Sequence, residues 1–434
     1  MKAIRNAKAY KLIELKVINA WNQETDISTM MQSMTITESI FANGTQGMIH
    51  VADGIGLWEM LPFIGEERIK IKYQTSFADQ DNALYEKIFN IYRIDNGKQY
   101  DGKTRSYIIH FISHETELNN NIKLSKSYNK MTSDIIVADI WDKLNVEELN
   151  SIEVSESAPR FIIPTWSPFK AIEWLSKNSI SSDNDYNDYV LFENRKGWHW
   201  VTIRSLLKQS INQTIEYGTS TIKNAEGQTK NVIENIEYNR LYDTVQMTKD
   251  GLYGARRLTY SHINKSMNNE HTIQDDALYL NKPRLPAQSL RGSSRGAAWD
   301  HNIPDVNVAD TLWGTEQYYE FLGDPMASYT VKCNDPETVY KGKHKHHLIR
   351  NQLFASIKSN TWSVTLPGNT SHYCGEVIFL NMPSFRDTIK NEGLDALNSG
   401  KYLVTAITHS LNMDEYTIEL EIRNTGSKED FATW

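Results

Sequence analysis

Cysteine is nearly absent: Cys333 and Cys374 are the only two in 434 residues, and they lack CxxC spacing. That excludes a disulfide-stapled scaffold, and two thiolates alone cannot close a zinc site. They read as buried or idle thiols. No run approaches the ~18 consecutive apolar residues of a membrane span, so no membrane insertion is expected. The opening MKAIRNAKAYKLIELKVINA is basic, yet it has no continuous apolar stretch and no small-residue cleavage site. The expectation is a protein made and folded in a cytoplasm. A basic excess is also missing. With 46 Lys and Arg against 54 Asp and Glu, the formal charge is −8. General nucleic-acid binders need cations to neutralise phosphates, so specific nucleic-acid binding is not expected.

The familiar catalytic signatures occur at most as bare strings: HExxH is absent, GKQYDGKT (Gly97 to Thr104) spells GxxxxGK[ST] and GSSRG (Gly292 to Gly296) spells GxSxG. The first falls in the turn region marked by Asn96-Gly97 and Asp101-Gly102, not between a strand and a helix as a P-loop requires, and the second in a polar stretch. The stretch DNDYNDY (Asp183 to Tyr189) starts like a calcium loop but has Asp188 where glycine belongs and Asn194 in place of the closing Glu. The GIG of Gly54 to Gly56 lacks the third glycine and the βαβ setting of a dinucleotide site, which leaves a turn. His344, His346 and His347 crowd together without Cys or carboxylate company, a poor ligand set for zinc. His110 and His114 lie four apart in a strand-like stretch, about 13 Å, too far to share a metal. RGSSRG (Arg291 to Gly296) reads as a flexible tip. No cofactor, metal or catalytic residue is expected.

What the chain does have is ordinary globular composition, 40% hydrophobic and 23% charged, with 11 Trp and 22 Tyr. Such rings suit pleated sheets and interfaces. In ERIKIKYQ, Ile69, Ile71 and Tyr73 fall on one face and Arg68, Lys70 and Lys72 on the other, the period of a half-buried strand. KIFNIYRI and RSYIIHFIS flank Asn96-Gly97 and Asp101-Gly102, so a long-looped hairpin is predicted. Val137, Ile140, Trp141 and Leu144 make a helical stripe, with Ser133 or Asp134 as its cap. WSPFKAIEWLSKNS predicts a second helix with Ser167 at the N-cap and Pro168 at N1. DYVLFENRKGWHWVTI predicts an aromatic hairpin around Gly197. HKHHLIRNQLFASIK predicts a helix before the next strand, and KYLVTAITHSLNMDEYTIELEIRN a final hairpin with Tyr416, Ile418, Leu420 and Ile422 on one face.

Between SVTL and EVIFL stands a corner. Pro367 fixes φ, Gly368 gives conformational freedom, Asn369 tolerates αL, and Gly375 reopens the chain into a strand. These four form the expected structural turn. Residues 66–113 and 361–423 share the order strand, connector, hairpin, which suggests two similar β units. The expected fold is mainly β with α+β parts: two similar tube-type β-barrels, a mixed α/β domain and an inserted subdomain. The expected boundaries are 1–115 for the first barrel, 116–230 for the mixed domain, and 231–262 with 344–425 for the second, split barrel. Residues 263–343 form an inserted subdomain or arm, and 426–434 a tail.

Three blocks carry a resemblance. TITESIFANGTQGMIHVADGIGLWEMLPFIGEERIKIKY, with Gly47-Met48 and Asp53 in matching places, resembles the first barrel of the baseplate hub proteins of T-even-type contractile-tailed phages. IPTWSPFKAIEWLSK with YVLFENRKGWHWVTI resembles the central segment of that family. LPGNTSHYCGEVIFL resembles the corner common to hub proteins of contractile tails and related injection machines. The blocks occur in family order over about two-thirds of the chain; residues 263–343 match nothing in it. The resemblance implies a structural, non-enzymatic protein of the virion tail baseplate, assembled in the host cytoplasm. It implies a homotrimeric, pseudo-sixfold ring joining the sixfold tail tube to the threefold central spike. Its partners would be the spike, tail-tube or tube-initiator proteins and surrounding baseplate proteins, and the corner would set the angle of the second barrel. Two rivals stay open: a baseplate-associated cell-wall hydrolase with an unrecognised carboxylate pair, and a glycan-binding tail protein using Trp198 and Trp200 as a platform.

Overall fold

In the computed structural model of the chain, the described residues are 8–60, 63–75, 84–100, 104–129, 131–156, 161–183, 187–217, 232–240, 254–261, 266–273, 318–321, 350, 353–355, 357–358, 360–384, 395 and 398–424. They are mainly β, with few helices.

The strand Arg68–Thr75 shows how alternation becomes structure. Ile69, Ile71 and Tyr73 are fully buried, while Lys70 and Lys72 stay on the other face. Antiparallel neighbours Tyr10–Ile18 and Leu84–Tyr100 flank it. They offer Glu14 (2.9 Å from Lys70) and Glu86 (2.6 Å from Lys72) on that outer face. Period two sends the apolar side to the core and leaves the charges to pair across strands.

From there the hydrogen-bonded path runs through Thr104–Ile112, Gln46–Asp53 and Met31–Ser39 to Gly400–Asn412. That 13-residue strand takes three partners. Residues 400–403 pair with Val377–Asn381, residues 406–412 with Met31–Ser39, and residues 403–411 with Tyr416–Asn424. Tyr416–Asn424 pairs in turn with Asn360–Pro367, which pairs with Asn235–Arg240. Gln213–Tyr217 lies parallel to Val377–Asn381. The result is one 14-stranded sheet, and the described strands show no closed barrel. A strand this long has room for the N-terminal and the C-terminal strands on one edge, so the two halves fuse. Their side chains share a core that includes Leu15, Ile71, Phe89, Phe111, Trp362, Ile407 and Leu420.

A second core belongs to the central segment. Val137, Ile140, Trp141 and Leu144 of the helical stripe are all buried, against Phe161, Phe169, Ile172, Leu175, Trp198 and Trp200. Thr132, rather than Ser133 or Asp134, holds the N-cap position of the helix Ser133–Asp142, without a side-chain cap bond. Ser167 and Pro168 stand at N-cap and N1 of Pro168–Asn178. Tyr189–Asn194 and Gly197–Thr202 form the hairpin, turning at Gly197 with φ +120°. Within 231–343, Gly254–Ser261 pairs with Ser266–Ile273 and Tyr318–Phe321. Cys333, His344, His346, His347, Asp101-Gly102 and the RGSSRG stretch lie outside the described residues.

Candidate functional site

The corner sits where three parts of the chain meet. Pro367 is the last residue of its strand, opposite Thr417. The Gly368 amide donates to the Tyr416 carbonyl at 2.8 Å, and the Tyr416 ring covers the glycine so closely that a Cβ would lie 1.9 Å from its Cδ1. Asn369 turns its side-chain oxygen back onto the Ser371 amide (2.9 Å) and hydroxyl (2.7 Å). Gly375 takes φ +89°, and its amide donates to the Val404 carbonyl at 2.8 Å. Between them His372 Nδ1 and Glu376 Oε1 meet at 2.6 Å, both fully buried.

Across from the corner stands the tip of the central hairpin. Asn194 Nδ2 donates to the Cys374 carbonyl at 2.9 Å. The Arg195 guanidinium donates to the Thr370 carbonyl, and at 3.0 Å to the Leu84 carbonyl of the N-terminal sheet. One arginine thus bridges three segments. Thr370 and Thr75 meet hydroxyl to hydroxyl at 3.2 Å.

Glu193, one residue earlier and 3% exposed, faces the N-terminal sheet. Its carboxylate accepts from the Thr45 amide at 2.7 Å and from the Lys87 ammonium, and the Ser113 hydroxyl also reaches it. Glu38 lies alongside, 1% exposed. Burial pushes its carboxyl up to about 7, with the Lys87 charge pulling down and Glu193 pushing up. Burial, then Glu193, also raises Glu115. The Cys374 thiol is driven well up by burial, which keeps it a thiol rather than a nucleophile. His409, hydrogen-bonded at 2.7 Å to the Tyr416 hydroxyl, is held down to about 3 by burial and then by His372 and Arg195.

This chemistry ties one stretch of backbone to another, around the buried side chains of Glu38, Glu193, Cys374 and His409. Among the described residues, no group of three His, Cys, Asp or Glu side chains could hold a metal ion. His110 pairs with Asp95 at 3.1 Å while His114, at the start of a helix, meets Asn90 at 3.0 Å, so the two diverge. The GIG turn is held by Asp53, whose Oδ1 accepts from the amides of Ile55, Gly56 and Leu57 at 2.8–3.1 Å. Asp188 accepts from the Arg204 amide at 3.0 Å and Asn187 donates to the Lys177 carbonyl at 2.8 Å, so this end of the calcium-like stretch is structural. Trp198 (5% exposed) and Trp200 (0%) are core residues, which removes them as a glycan platform.

The corner was legible as a turn, but its partners Glu38, Lys87, Ser113, Glu193 and Arg195 were not. One signal was available: Glu193 and Asn194 end a strand whose six residues are all buried. A charge in such a strand must have a partner.

No protein-family model matches the sequence. A probable baseplate hub protein of Vibrio phage KVP40 is 22% identical over 401 residues, covering 91% of this chain and 89% of that protein. The chain resembles a phage baseplate hub protein over nearly its whole length. Solved structures share the fold. A prophage MuSo2 43 kDa tail protein from Shewanella oneidensis superposes with a TM-score of 0.52 at 10% identity, covering 95% of this chain and 98% of that one. A tail protein from Neisseria meningitidis MC58 gives 0.51 at 9% identity, covering 96% of each chain.

Proposed function

We propose that this chain is a structural baseplate hub protein of a contractile tail, without enzymatic activity. The observation that carries the reading is the span of the likeness: sequence similarity to a probable baseplate hub protein covers nine-tenths of both chains. The structure supports the same role, because a largely buried polar cluster ties separate stretches of backbone together.

In this proposal residues 1–115 and the pair 231–262 with 344–425 are two tube-type units, fused along Gly400–Asn412. Residues 116–230 form the mixed domain beside them, 263–343 an arm and 426–434 a tail. Three copies would place six such units around an axis. That ring would match a sixfold tube on one end and a threefold spike on the other, a closed heterologous assembly. The corner at Pro367, Gly368, Asn369 and Gly375 fixes the second unit against the hairpin tip. The partners are then two further copies, the central spike, the tube or its initiator and neighbouring baseplate proteins. The location is the virion tail, with assembly in the host cytoplasm.

Mixing the purified chain with the candidate spike protein tests this directly. A stable complex of three hub chains on one spike trimer is expected; failure to associate at micromolar concentration overturns it. The hydrolase rival would instead need the chain alone to clear peptidoglycan and to lose that activity on a single Asp or Glu change.

A further inference from the structure

The junction holds two buried carboxylates, and their surroundings differ. Glu193 receives the Thr45 amide and the Lys87 ammonium, with the Ser113 hydroxyl beside it, as an anion requires. Glu38, on the neighbouring strand Met31–Ser39, reaches no side-chain donor among the described residues; only the backbone amides of Cys374 and Arg195 point toward it. The other groups facing it come from every element packed there: the phenols of Tyr73, Tyr85 and Tyr416, the Cys374 thiol, Lys87 and Glu193. Arg195 lies nearby, but its guanidinium is committed to the carbonyls of Thr370 and Leu84. Glu115 adds a further acid beside Glu193, and neutral His409 stands against the Tyr85 ring.

We propose that Glu38 is a neutral, protonated carboxylic acid whose ionisation unlatches the central hairpin from the two halves of the sheet. One ammonium, already bound to Glu193, cannot balance a second buried anion at this spot. Loss of the Glu38 proton therefore sets like charges against each other across the contact between Met31–Ser39, the hairpin tip and the corner. The hub carries a proton-operated joint at the meeting point of its three parts.

Hydrogen exchange by mass spectrometry on the full chain tests this, with intrinsic rates corrected for pH. The peptides that matter cover Thr45, Ser113, Glu193 to Arg195 and Gly375; the helix Ser133–Asp142 is the control. In the wild type, protection of the junction should fall roughly tenfold per pH unit from about pH 4.5 to about pH 7 and level off above that while the control holds, and Glu38→Gln should abolish that fall. An identical pH profile in the two proteins overturns the proposal. So does Glu38→Gln exchanging faster at the junction at every pH, because Glu38 would then be needed as an anion. If that variant fails to fold, Lys87→Met decides: removing the cation should move the junction's midpoint to higher pH, and an unmoved midpoint overturns the proposal.

Discussion

Gly368 shows how a single missing carbon shapes the site. Any Cβ there would sit inside the Tyr416 ring, and that ring is fully buried, edge-on to Tyr73 and stacked beside His409. Neither side can yield, so Gly368→Ala should lower stability by about 3 kcal/mol, seen as a shifted urea midpoint at constant slope. Gly47 is constrained by backbone instead, since its Cβ would lie 2.3 Å from the Thr35 carbonyl oxygen. The histidines make their own prediction. Burial holds His409 near 3 and His199 near 4, below the ordinary value of 6.5. A folded value below the unfolded one stabilises above pH 6.5 and is lost as pH falls toward those values. Glu38 runs the other way: its raised folded value stabilises below about pH 4.5, and about 3 kcal/mol is lost as pH climbs to about 7. Stability in the wild type should therefore fall below pH 6.5, and His409→Gln should flatten that acid limb in a pH series of thermal melts.

At the scale of elements, the hairpin Tyr189–Thr202 is the piece on which the others close. Its inner rings stack, Tyr189 on Trp200 at 4.0 Å between centroids. The Trp200 indole donates to the Ser176 hydroxyl at 2.9 Å. Trp200→Ala should cost about 3–5 kcal/mol, read by denaturant unfolding, through lost packing. From behind, Arg350 donates to the carbonyls of Ser176 (3.2 Å), Asn187 (2.6 Å) and Tyr189 (3.1 Å), and burial lowers its guanidinium to about 10. Arg195 does the same in front. Arg195→Ala should remove the guanidinium bonds to the carbonyls of Thr370 and Leu84 and raise hydrogen exchange at the corner, while the helix Pro168–Asn178 keeps its protection. Strands and helices were legible here because their periods are local. The arginines were not, because nothing in the polarity of ENRKG tells a surface charge from one that bridges three segments: Arg195 lies at a polar turn, where solvated residues are ordinary.

For the whole molecule, the fused sheet has a consequence for assembly. Among the described residues, the short strand Glu24–Asp26 ends the hydrogen-bonded path, pairing with residues 16–18 of its neighbour while the Ile27 amide reaches the Leu15 carbonyl, so backbone groups of Tyr10–Glu14 lie at an edge. Such edges invite pairing with another chain. Light scattering at two concentrations should give a species near three times 50.0 kDa. A monomer at both, unchanged by added spike protein, would remove the ring.

The sequence by itself determined the strands, the central helices, the turn at the corner and the likeness to hub proteins. Alternation, helical stripes and turn chemistry are all written within a few residues of each other. Only the tertiary structure decided that Gly400–Asn412 would serve both halves of the sheet at once, and that Glu38, Lys87, Glu193 and Arg195 would meet. Glu38 and Lys87 come from N-terminal strands and Glu193 and Arg195 from the central hairpin, and no local pattern records which buried charge will face which. The described strands of both expected β units therefore join in one continuous sheet, and the corner read as a turn packs against the tip of the central hairpin.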